Sequence, residues 1–505
     1  MSTLEKSRYL LKTLGCKANL YDSQLMEAEL QKRGWLPSEN GSEIGVDLCI
    51  VNSCTVTDEA DRQSRKMASR LSRDNPAARV VVTGCSAEVD PETLSNTQGV
   101  HYVVGNRDKH QLVELVLKTL ERDKLERAES SDASSTHSSK AKGRVLGVAE
   151  NYDQMLSRHP MDREWATPES SFMVPPPKHQ GEAGRTRTFL KIQEGCNSFC
   201  TYCIIPYGRG PSRSLKIPEV VAQIQELVSQ GVSEVVITGI NIGDYGTDWP
   251  ENTAGTMQLA PLFHTILRET KLERLRVSSL DPTEITEELL QLMESNPRFC
   301  PHFHVSLQSP HARILKLMKR KYSWEHVQAC LKRIAEIPAP AGGPFVGMDV
   351  ITGFPGETQE DFEWTKEALS SLPWSRLHVF PYSERTGTPA TRLPNSVHQH
   401  ERVARAHALR ELSFERLRRI HHETLQSHQS TGRLMTQVLV ENPTKGPDGT
   451  KNWIAGYTPH YLRVLVRLES EAQVRALHNQ LLSVRPTGLI ADAAAGDLAF
   501  IAELA

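Results

Sequence analysis

The sequence predicts an α/β protein with three folded parts: an amino-terminal parallel sheet domain, a central partial (βα)6 barrel and a small carboxy-terminal β-barrel. Strand-like apolar runs alternate with helical runs over residues 8–122 and again over 183–425. From 426 to 505, short strand-like runs lie between Gly, Pro and Asn turns. A chain of 505 residues is also too long for a single hydrophobic core.

The first part contains three strand-like runs that are separated by helical runs. The strand-like runs are RYLLKTLGCK, VDLCIVNSC and ARVVVTGCS, and the helical runs are NLYDSQLMEAELQKRGW and TDEADRQSRKMASRLSRDNP. Gly34 and Pro76 end the two helices. This alternation predicts a parallel sheet with helices packed against it.

Residues 123–182 show no such pattern. ERAESSDASSTHSSKAKG is rich in Ser, and SFMVPPPKHQGEAG is rich in Pro and Gly. We expect a low-complexity, mostly disordered linker, with some structure only near NYDQMLSRH.

The central part contains six strand-like runs with helical runs between them. The strand-like runs are RTFLKIQ, SEVVITGI, LERLRVSS, HFHVSLQ, FVGMDVITG and RLHVFPY. Six βα units predict a complete or partial parallel barrel whose active site lies at the carboxyl ends of the strands. A basic helical run, ERVARAHALRELSFERLRRIHHETL, ends this part, and MTQVLVEN and YLRVLVRL predict strands of the terminal barrel.

Composition restricts the class of protein. No run of about 18 apolar residues is present, and MSTLEKSRYLLK lacks the apolar core of a signal peptide. We therefore expect a cytoplasmic protein without a membrane partner, whose clustered cysteines serve metal binding or catalysis rather than disulfides. The net charge of −2 means that any contact with nucleic acid needs a local basic surface.

Three cysteines in EGCNSFCTYC form a C-x3-C-x2-C array directly after the first barrel strand. They are Cys196, Cys200 and Cys203. Three thiolates leave a tetrahedral zinc site incomplete, whereas a 4Fe-4S cluster held by three cysteines keeps one iron open to a small molecule. The alternative is a zinc site completed by a distant His or by Cys300 or Cys330.

A second set of cysteines is dispersed in sequence but equivalent in position. Cys16, Cys54 and Cys85 each follow an apolar strand, in KTLGC, CIVNSC and VVVTGC. Parallel strands end at one edge of their sheet, so the three thiols are expected to converge there. The alternative is three unrelated buried thiols, because free cysteine is often buried. The remaining cysteines, Cys49, Cys300 and Cys330, are assigned to packing.

The array, with Tyr202 before its last cysteine, resembles that of the radical S-adenosylmethionine superfamily. LGCKANLYDS, NSCTVTDEAD, VTGCSAE, EGCNSFCTYCIIPYGRGPSRS, ITGINIGDYG, HVSLQS, KRKYS, ITGFPGE and FPYSERTGTPA resemble the methylthiotransferases of that superfamily, over nearly the whole chain except the linker. The resemblance implies two 4Fe-4S clusters. Cys196, Cys200 and Cys203 would hold the radical cluster, whose open iron binds S-adenosylmethionine. Cys16, Cys54 and Cys85 would hold an auxiliary cluster that carries the inserted sulfur.

Six further residues are candidates for binding S-adenosylmethionine, and five of them lie at or near carboxyl ends of barrel strands. They are Tyr202, Gly239, Asn241, Ser278, Gln308 and Asp349. Each could instead be a structural loop residue. The chain departs from the family pattern at Pro310, where Gly is usual, and the fixed φ of proline alters that loop.

The motifs also bear on the substrate. LGCKAN followed by YDS, and GYTPHYLRVLV, resemble the branch that methylthiolates threonylcarbamoyladenosine beside the anticodon. The implied activity is methylthiolation of adenine C2 in tRNA, with the anticodon arm and an electron donor such as a flavodoxin or ferredoxin as partners. The alternatives are methylthiolation of isopentenyladenosine or of a ribosomal-protein aspartate and, from another class, a non-catalytic iron–sulfur or zinc scaffold that binds RNA.

The terminal segments are compatible with RNA binding. The small barrel resembles the RNA-binding TRAM domain, and basic side chains beside exposed aromatics suit phosphate contact and base stacking. The residues concerned are Arg402, Arg405, Arg410, Arg416, Arg418 and Arg419 in the helix and Tyr457, Tyr461, Arg463 and Arg467 in the barrel. For the helix, a solvated face with Glu–Arg pairing is an equal alternative.

Overall fold

The computed structural model describes residues 7–39, 42–129, 142–147, 163, 165, 187–338, 343–492 and 497–505. The chain divides into two compact units. Unit 1 comprises Met1–Pro176, Lys191–Leu215 and Ser383–Thr391. Unit 2 comprises Pro177–Leu190, Lys216–Tyr382 and Arg392–Ala505. Among the described residues, no helix has both the length and the apolar character needed to cross a bilayer.

The elements follow the predicted alternation. The strands are β1 (Arg8–Thr13), β2 (Leu36–Pro37), β3 (Leu48–Ser53), β4 (Arg79–Gly84), β5 (Tyr102–Val104), β6 (Arg144–Leu146), β7 (Arg187–Lys191), β8 (Gln193–Glu194), β9 (Arg213–Ser214), β10 (Glu234–Thr238), β11 (Arg274–Val277), β12 (Ser279–Leu280), β13 (His302–Gln308), β14 (Phe345–Thr352), β15 (Arg376–Pro381), β16 (Met435–Thr444), β17 (Trp453–Tyr457), β18 (Arg463–Arg467), β19 (Leu481–Asp492) and β20 (Asp497–Leu504). The α-helices are Lys17–Lys32, Asp58–Asp74, Cys85–Val89, Pro91–Ser95, Leu112–Glu129, Ile205–Arg209, Ile217–Ser229, Leu259–Glu269, Glu287–Ser295, Ala312–Met318, Trp324–Ala335, Gln359–Ser370, Gln399–Thr431 and Glu471–Ala476.

The amino-terminal sheet has six parallel strands in the order β2-β1-β3-β4-β5-β6. All six residues of β3 are buried, as expected for a central parallel strand with helices on both faces. Thr57 caps the helix Asp58–Asp74 by accepting a hydrogen bond from the Ala60 N–H. The parallel α/β domain predicted from the sequence is confirmed.

The linker prediction is wrong at two places. The helix Leu112–Glu129 extends past residue 122, and Arg144–Leu146 forms the sixth strand of the sheet, pairing with β5. A three-residue strand is too short for periodicity to distinguish it from a polar loop. The NYDQMLSRH segment lies outside the described residues.

The central part is a partial parallel barrel, as predicted. Its strands form two parallel groups, in the orders β11-β10-β7 and β12-β13-β14-β15. β11 and β12 are separated by Ser278 alone, so one chain segment supplies an edge to each group. The helices between the strands bury apolar faces, for example Leu262, Phe263 and Ile266 of Leu259–Glu269.

The carboxy-terminal strands close into a barrel in the order β16-β17-β18-β20-β19, which confirms the predicted small β-barrel. Its core includes Val438, Val464 and Phe500, all fully buried. The helix Gln399–Thr431, here called the long helix, packs against this barrel, and its His421 ring stacks on Phe500 with 5.1 Å between centroids.

Four of the six arginines on the long helix bind protein groups of unit 2. Arg402 and Arg405 are buried, and Arg405 Nη1 donates to Glu357 Oε1 at 2.7 Å. Arg410 donates to the Val379 carbonyl, and the Arg416 guanidinium lies 3.8 Å from the Trp374 ring centroid. These contacts hold the long helix against the central strands and their loops. Arg402 and Arg405 are buried and so are not available at the surface, whereas Arg410 is exposed. Arg418 and Arg419 remain exposed.

The aromatic pair of the small barrel is also engaged within unit 2. The Tyr457 and Tyr461 rings lie 5.1 Å apart, and the Arg187 guanidinium lies 4.6 Å from the Tyr457 ring centroid. Arg463 binds Asp492 at 2.8 Å. Packing against Arg187 and Asp492 therefore engages these three partly buried side chains within unit 2.

Candidate cofactor site

The amino-terminal cysteines lie at the carboxyl ends of three adjacent parallel strands. Cys16 follows β1, Cys54 follows β3 and Cys85 follows β4, and these strands are neighbours in the sheet. Because neighbouring strands are about 4.8 Å apart, the three residues span roughly 10 Å of one sheet edge. Cys54 and Cys85 are buried, whereas Cys16 is exposed. Burial, together with the nearby Cys85 and Cys16 thiols, raises the pKa of Cys54 to about 12.

A glycine turn makes room for this grouping. Gly15 has φ +91°, and a Cβ built on it would lie 2.6 Å from both Cβ and Sγ of Cys54. Asn19 secures the turn by donating to the Leu14 and Ser53 carbonyls at 2.8 and 2.9 Å. Only glycine fits at position 15, because both its backbone conformation and the space beside Cys54 exclude a side chain.

The C-x3-C-x2-C array lies in a loop closed at its base. β8 and β9 pair antiparallel on either side of it, and the Cys196 N–H donates to the Gly210 carbonyl at 3.0 Å. Within the loop the Cys203 N–H donates to the Cys200 carbonyl at 3.0 Å, and Phe199 has φ +47°. The left-handed backbone conformation of Phe199 is strained, and strained residues of this kind cluster at ligand sites.

Both cysteine sets belong to unit 1, and a helix that follows one set packs against a helix that begins in the other. The helix Ile205–Arg209, which follows Cys203 directly, packs on the helix that begins at Cys85. A Cβ built on Gly208 would lie 3.6 Å from the Cys85 Cβ. Gly208 is five residues after Cys203, so the Cα atoms of Cys203 and Gly208 are at most about 18 Å apart. The sequence predicted each set separately, and the fold brings them to one region.

Arg209 occupies the centre of this region. Its side chain is 2% exposed, and Nε donates to Cys85 Sγ at 3.2 Å. The guanidinium also binds Glu194 at 2.6 Å and Asp22 at 3.2 Å. Burial would raise the pKa of Glu194, but Arg209 and Lys191 outweigh that effect and hold it at about 2. The network is therefore charged at neutral pH.

The two donor sets, each of three thiols, have the chemistry of iron–sulfur ligands. A zinc ion needs its sulfurs at about 2.3 Å, whereas a cubane offers a separate iron to each thiolate. Cysteines at three strand ends, beside the cationic Arg209, suit the second geometry and an anionic cluster.

The candidates for binding S-adenosylmethionine lie in unit 2, except for Tyr202, which lies in the loop of the C-x3-C-x2-C array. Gly239 and Asn241 follow β10, and Asn241 donates to Asp244 at 2.7 Å. Ser278 is buried between β11 and β12, and its N–H donates to the Ile237 carbonyl. Gln308 ends β13 with φ +59°, just before the Pro310 loop.

Asp349 lies inside its strand rather than at the end. It is the fifth residue of the eight in β14, and Oδ1 lies 2.9 Å from His304 Nε2. The His304 ring in turn stacks on His378 of β15 at 5.0 Å. Alternation along β15 places Phe380, 45% exposed, on the same strand face as His378. This face of the strands thus presents polar and aromatic side chains.

Sequence reasoning missed the residues that connect the two cysteine loops. Besides Arg209, Arg385 of the FPYSERTGTPA motif binds Thr55 and Asp61, just after Cys54. The Ala390 N–H, in the same motif, donates to the Thr201 carbonyl at 2.8 Å. The sequence offered one signal for these arginines: Arg209 lies in the motif EGCNSFCTYCIIPYGRGPSRS and Arg385 in FPYSERTGTPA.

Comparisons with known proteins agree with this arrangement. The Radical SAM superfamily model matches residues 190–369, and that of the Uncharacterized protein family UPF0004 matches residues 8–105. The chain is similar to a solved structure of the radical S-adenosylmethionine methyltransferase TsrM from Kitasatospora setae. The match covers 76% of this chain and 74% of the TsrM chain, with a TM-score of 0.51 and 17% sequence identity. At that identity it supports the fold alone.

Relatives of greater identity cover most of the chain. The threonylcarbamoyladenosine tRNA methylthiotransferase MtaB of Bacillus subtilis is 32% identical over 90% of this chain and 89% of its own length. The MtaB of Aquifex aeolicus is 35% identical over 79% and 86%. The tRNA-2-methylthio-N(6)-dimethylallyladenosine synthase of Carboxydothermus hydrogenoformans is 29% identical over 90% and 91%. With two cysteine sets on the matching domains, the chain belongs to the methylthiotransferase family of the radical S-adenosylmethionine superfamily.

Proposed function

We propose that this enzyme is a tRNA methylthiotransferase that converts N6-threonylcarbamoyladenosine beside the anticodon to its 2-methylthio form. One observation carries the proposal: two sets of three cysteines lie in one compact unit, with the helix after Cys203 packed on the helix that begins at Cys85. A sulfur-inserting enzyme needs its sulfur source near the place where the substrate carbon is activated.

Each cysteine set has a proposed role. Cys196, Cys200 and Cys203 would hold the radical 4Fe-4S cluster, and Cys16, Cys54 and Cys85 an auxiliary one. When bound, the first cluster with S-adenosylmethionine supplies the radical that a non-acidic adenine C2–H requires, the second supplies the sulfur, and another S-adenosylmethionine supplies the methyl group.

The other candidates act by binding and orientation. Gly239, Asn241, Ser278 and Gln308 lie at strand ends or adjoining turns and are proposed, with Tyr202, to bind S-adenosylmethionine. Asp349 is proposed to act through the His304 contact inside the barrel. Phe380 offers an exposed aromatic surface suited to a flat base.

The choice of nucleoside rests on motif and similarity together. LGCKAN resembles the form typical of the threonylcarbamoyladenosine branch, and the MtaB relatives reach 35% identity. The isopentenyladenosine alternative has support from a relative at 29% identity, but this chain lacks the GCQMN form that branch favours. The proposed partners are the tRNA anticodon arm and an electron donor of the flavodoxin or ferredoxin class.

Nucleoside profiling tests the proposal. In a strain that lacks this gene, mass spectrometry of digested tRNA is expected to show threonylcarbamoyladenosine without its 2-methylthio form, and the intact gene restores it. Loss of methylthiolated isopentenyladenosine instead would assign the alternative branch. Unchanged methylthio-nucleosides in both pools would exclude a role in tRNA modification.

A further inference from the structure

The sulfur of Cys85 receives two side-chain hydrogen bonds. Arg209 Nε donates to Sγ at 3.2 Å, and Asn106 Nδ2 donates to it at 3.4 Å. Asn106 is fixed by a second bond of the same amide group, to the Gly208 carbonyl at 2.7 Å. Arg209 and the Gly208 carbonyl that fixes Asn106 both belong to the segment that follows the C-x3-C-x2-C array.

The Arg209 donor is held rigidly. Glu194, two residues before Cys196, binds Nη1 at 2.6 Å, and Asp22 and Asn19 bind Nη2. All three partners are buried. A guanidinium fixed by a carboxylate on each side keeps its Nε–H directed at the sulfur without a cost in side-chain entropy at the time of reaction.

We propose that Arg209 and Asn106 tune the reduction potential of the auxiliary cluster held by Cys16, Cys54 and Cys85, with Arg209 as the dominant positioning residue. Hydrogen bonds and positive charge at a ligating sulfur stabilise the more negative, reduced state of a cluster and so raise its potential. Because Arg209 also binds Glu194 beside Cys196, this control is exerted from the loop of the radical cluster. The inference rests on the proposed second cluster.

The test isolates the auxiliary cluster. In full-length protein with Cys196, Cys200 and Cys203 replaced by Ala, potentiometric titration followed by EPR measures one cluster only. Arg209→Met, which removes the donor and the charge but keeps a similar length, is expected to move the midpoint potential to a more negative value. Asn106→Ala is expected to move it in the same direction by a smaller amount.

A control variant separates tuning from general loss of a buried charge. Arg107→Gln removes a buried guanidinium whose Nε donates to Glu88 at 2.7 Å, in the helix that begins at Cys85, rather than to the Cys85 sulfur, and the potential should stay at the parent value. Arg209→Lys, which keeps the charge, should recover part of the shift.

The outcomes distinguish this inference from the proposed function. If the triple-Ala protein binds no iron–sulfur cluster although circular dichroism shows it folded, the second cluster itself is refuted. If a cluster is present with full iron content and Arg209→Met leaves its potential unchanged, only the tuning role is overturned.

Discussion

At the scale of single residues, Gly15 shows how strictly the amino-terminal site is packed. Its φ of +91° and the 2.6 Å separation between a built Cβ and Cys54 Sγ are two independent obstacles to any side chain. The glycine lies between β1 and Cys16, so a displaced turn would move one thiol away from the other two.

Gly15→Ala is expected to abolish binding of the auxiliary cluster while leaving the radical cluster intact. After reconstitution, iron analysis should fall from about eight to about four atoms per chain. Gly34→Ala is the matched control, because Gly34 has φ +84° but open space around its Cβ position. Equal iron content in the two variants would contradict the steric argument.

At the scale of elements, the long helix shows that a basic sequence can serve packing. Its buried Arg402 and Arg405 and its half-buried Arg416 bind carbonyls, a carboxylate and an aromatic ring within unit 2. The interleaved glutamates made the helix look like a solvated charged face, yet the arginines at the buried positions point inward. The role of each arginine depends on whether its position on the helix is buried, and the periodicity of the sequence did not show which positions are buried.

Arg405→Ala is expected to destabilise the protein by about 3–5 kcal/mol, because it leaves the carboxylate of Glu357 buried without its charged partner. Chemical denaturation should show this loss. Arg419→Ala, which removes an exposed i, i+4 pair with Glu423, should stay within about 0.5 kcal/mol of the parent protein. A weakened tRNA affinity with unchanged stability in Arg405→Ala would instead indicate a phosphate contact.

At the scale of the whole molecule, the two cysteine sets are expected to be separable in function. Replacing Cys16, Cys54 and Cys85 with Ala should spare reductive cleavage of S-adenosylmethionine and abolish sulfur insertion. Replacing Cys196, Cys200 and Cys203 should abolish both, because no radical forms.

Two measurements check this separation: release of 5′-deoxyadenosine by chromatography, and methylthio-nucleoside formation on tRNA by mass spectrometry. If the first triple variant is folded but releases no 5′-deoxyadenosine, the assignment of roles to the two sets is incorrect.

Much of the architecture could be predicted from local patterns. Alternating strand-like and helical runs predicted the parallel sheet and the partial barrel. The C-x3-C-x2-C spacing predicted one cysteine set, and three cysteines that each follow an apolar strand predicted the other, since parallel strands end at one edge of their sheet. The β6 strand could not be predicted, because three residues, Arg144–Leu146, carry too little periodicity.

The sequence by itself determined the candidate ligands: the number of cysteines in each set, their position after strands and their family pattern. Only the tertiary structure decided the surroundings of the cysteines, namely the Arg209 bond to Cys85 and the contact of Arg385 beside Cys54. It also decided the burial of Arg402 and Arg405 on the long helix. The spacing of the cysteines can be read from the sequence. The hydrogen bond from Arg209 to Cys85, which joins residues 124 positions apart, forms only when distant segments pack together.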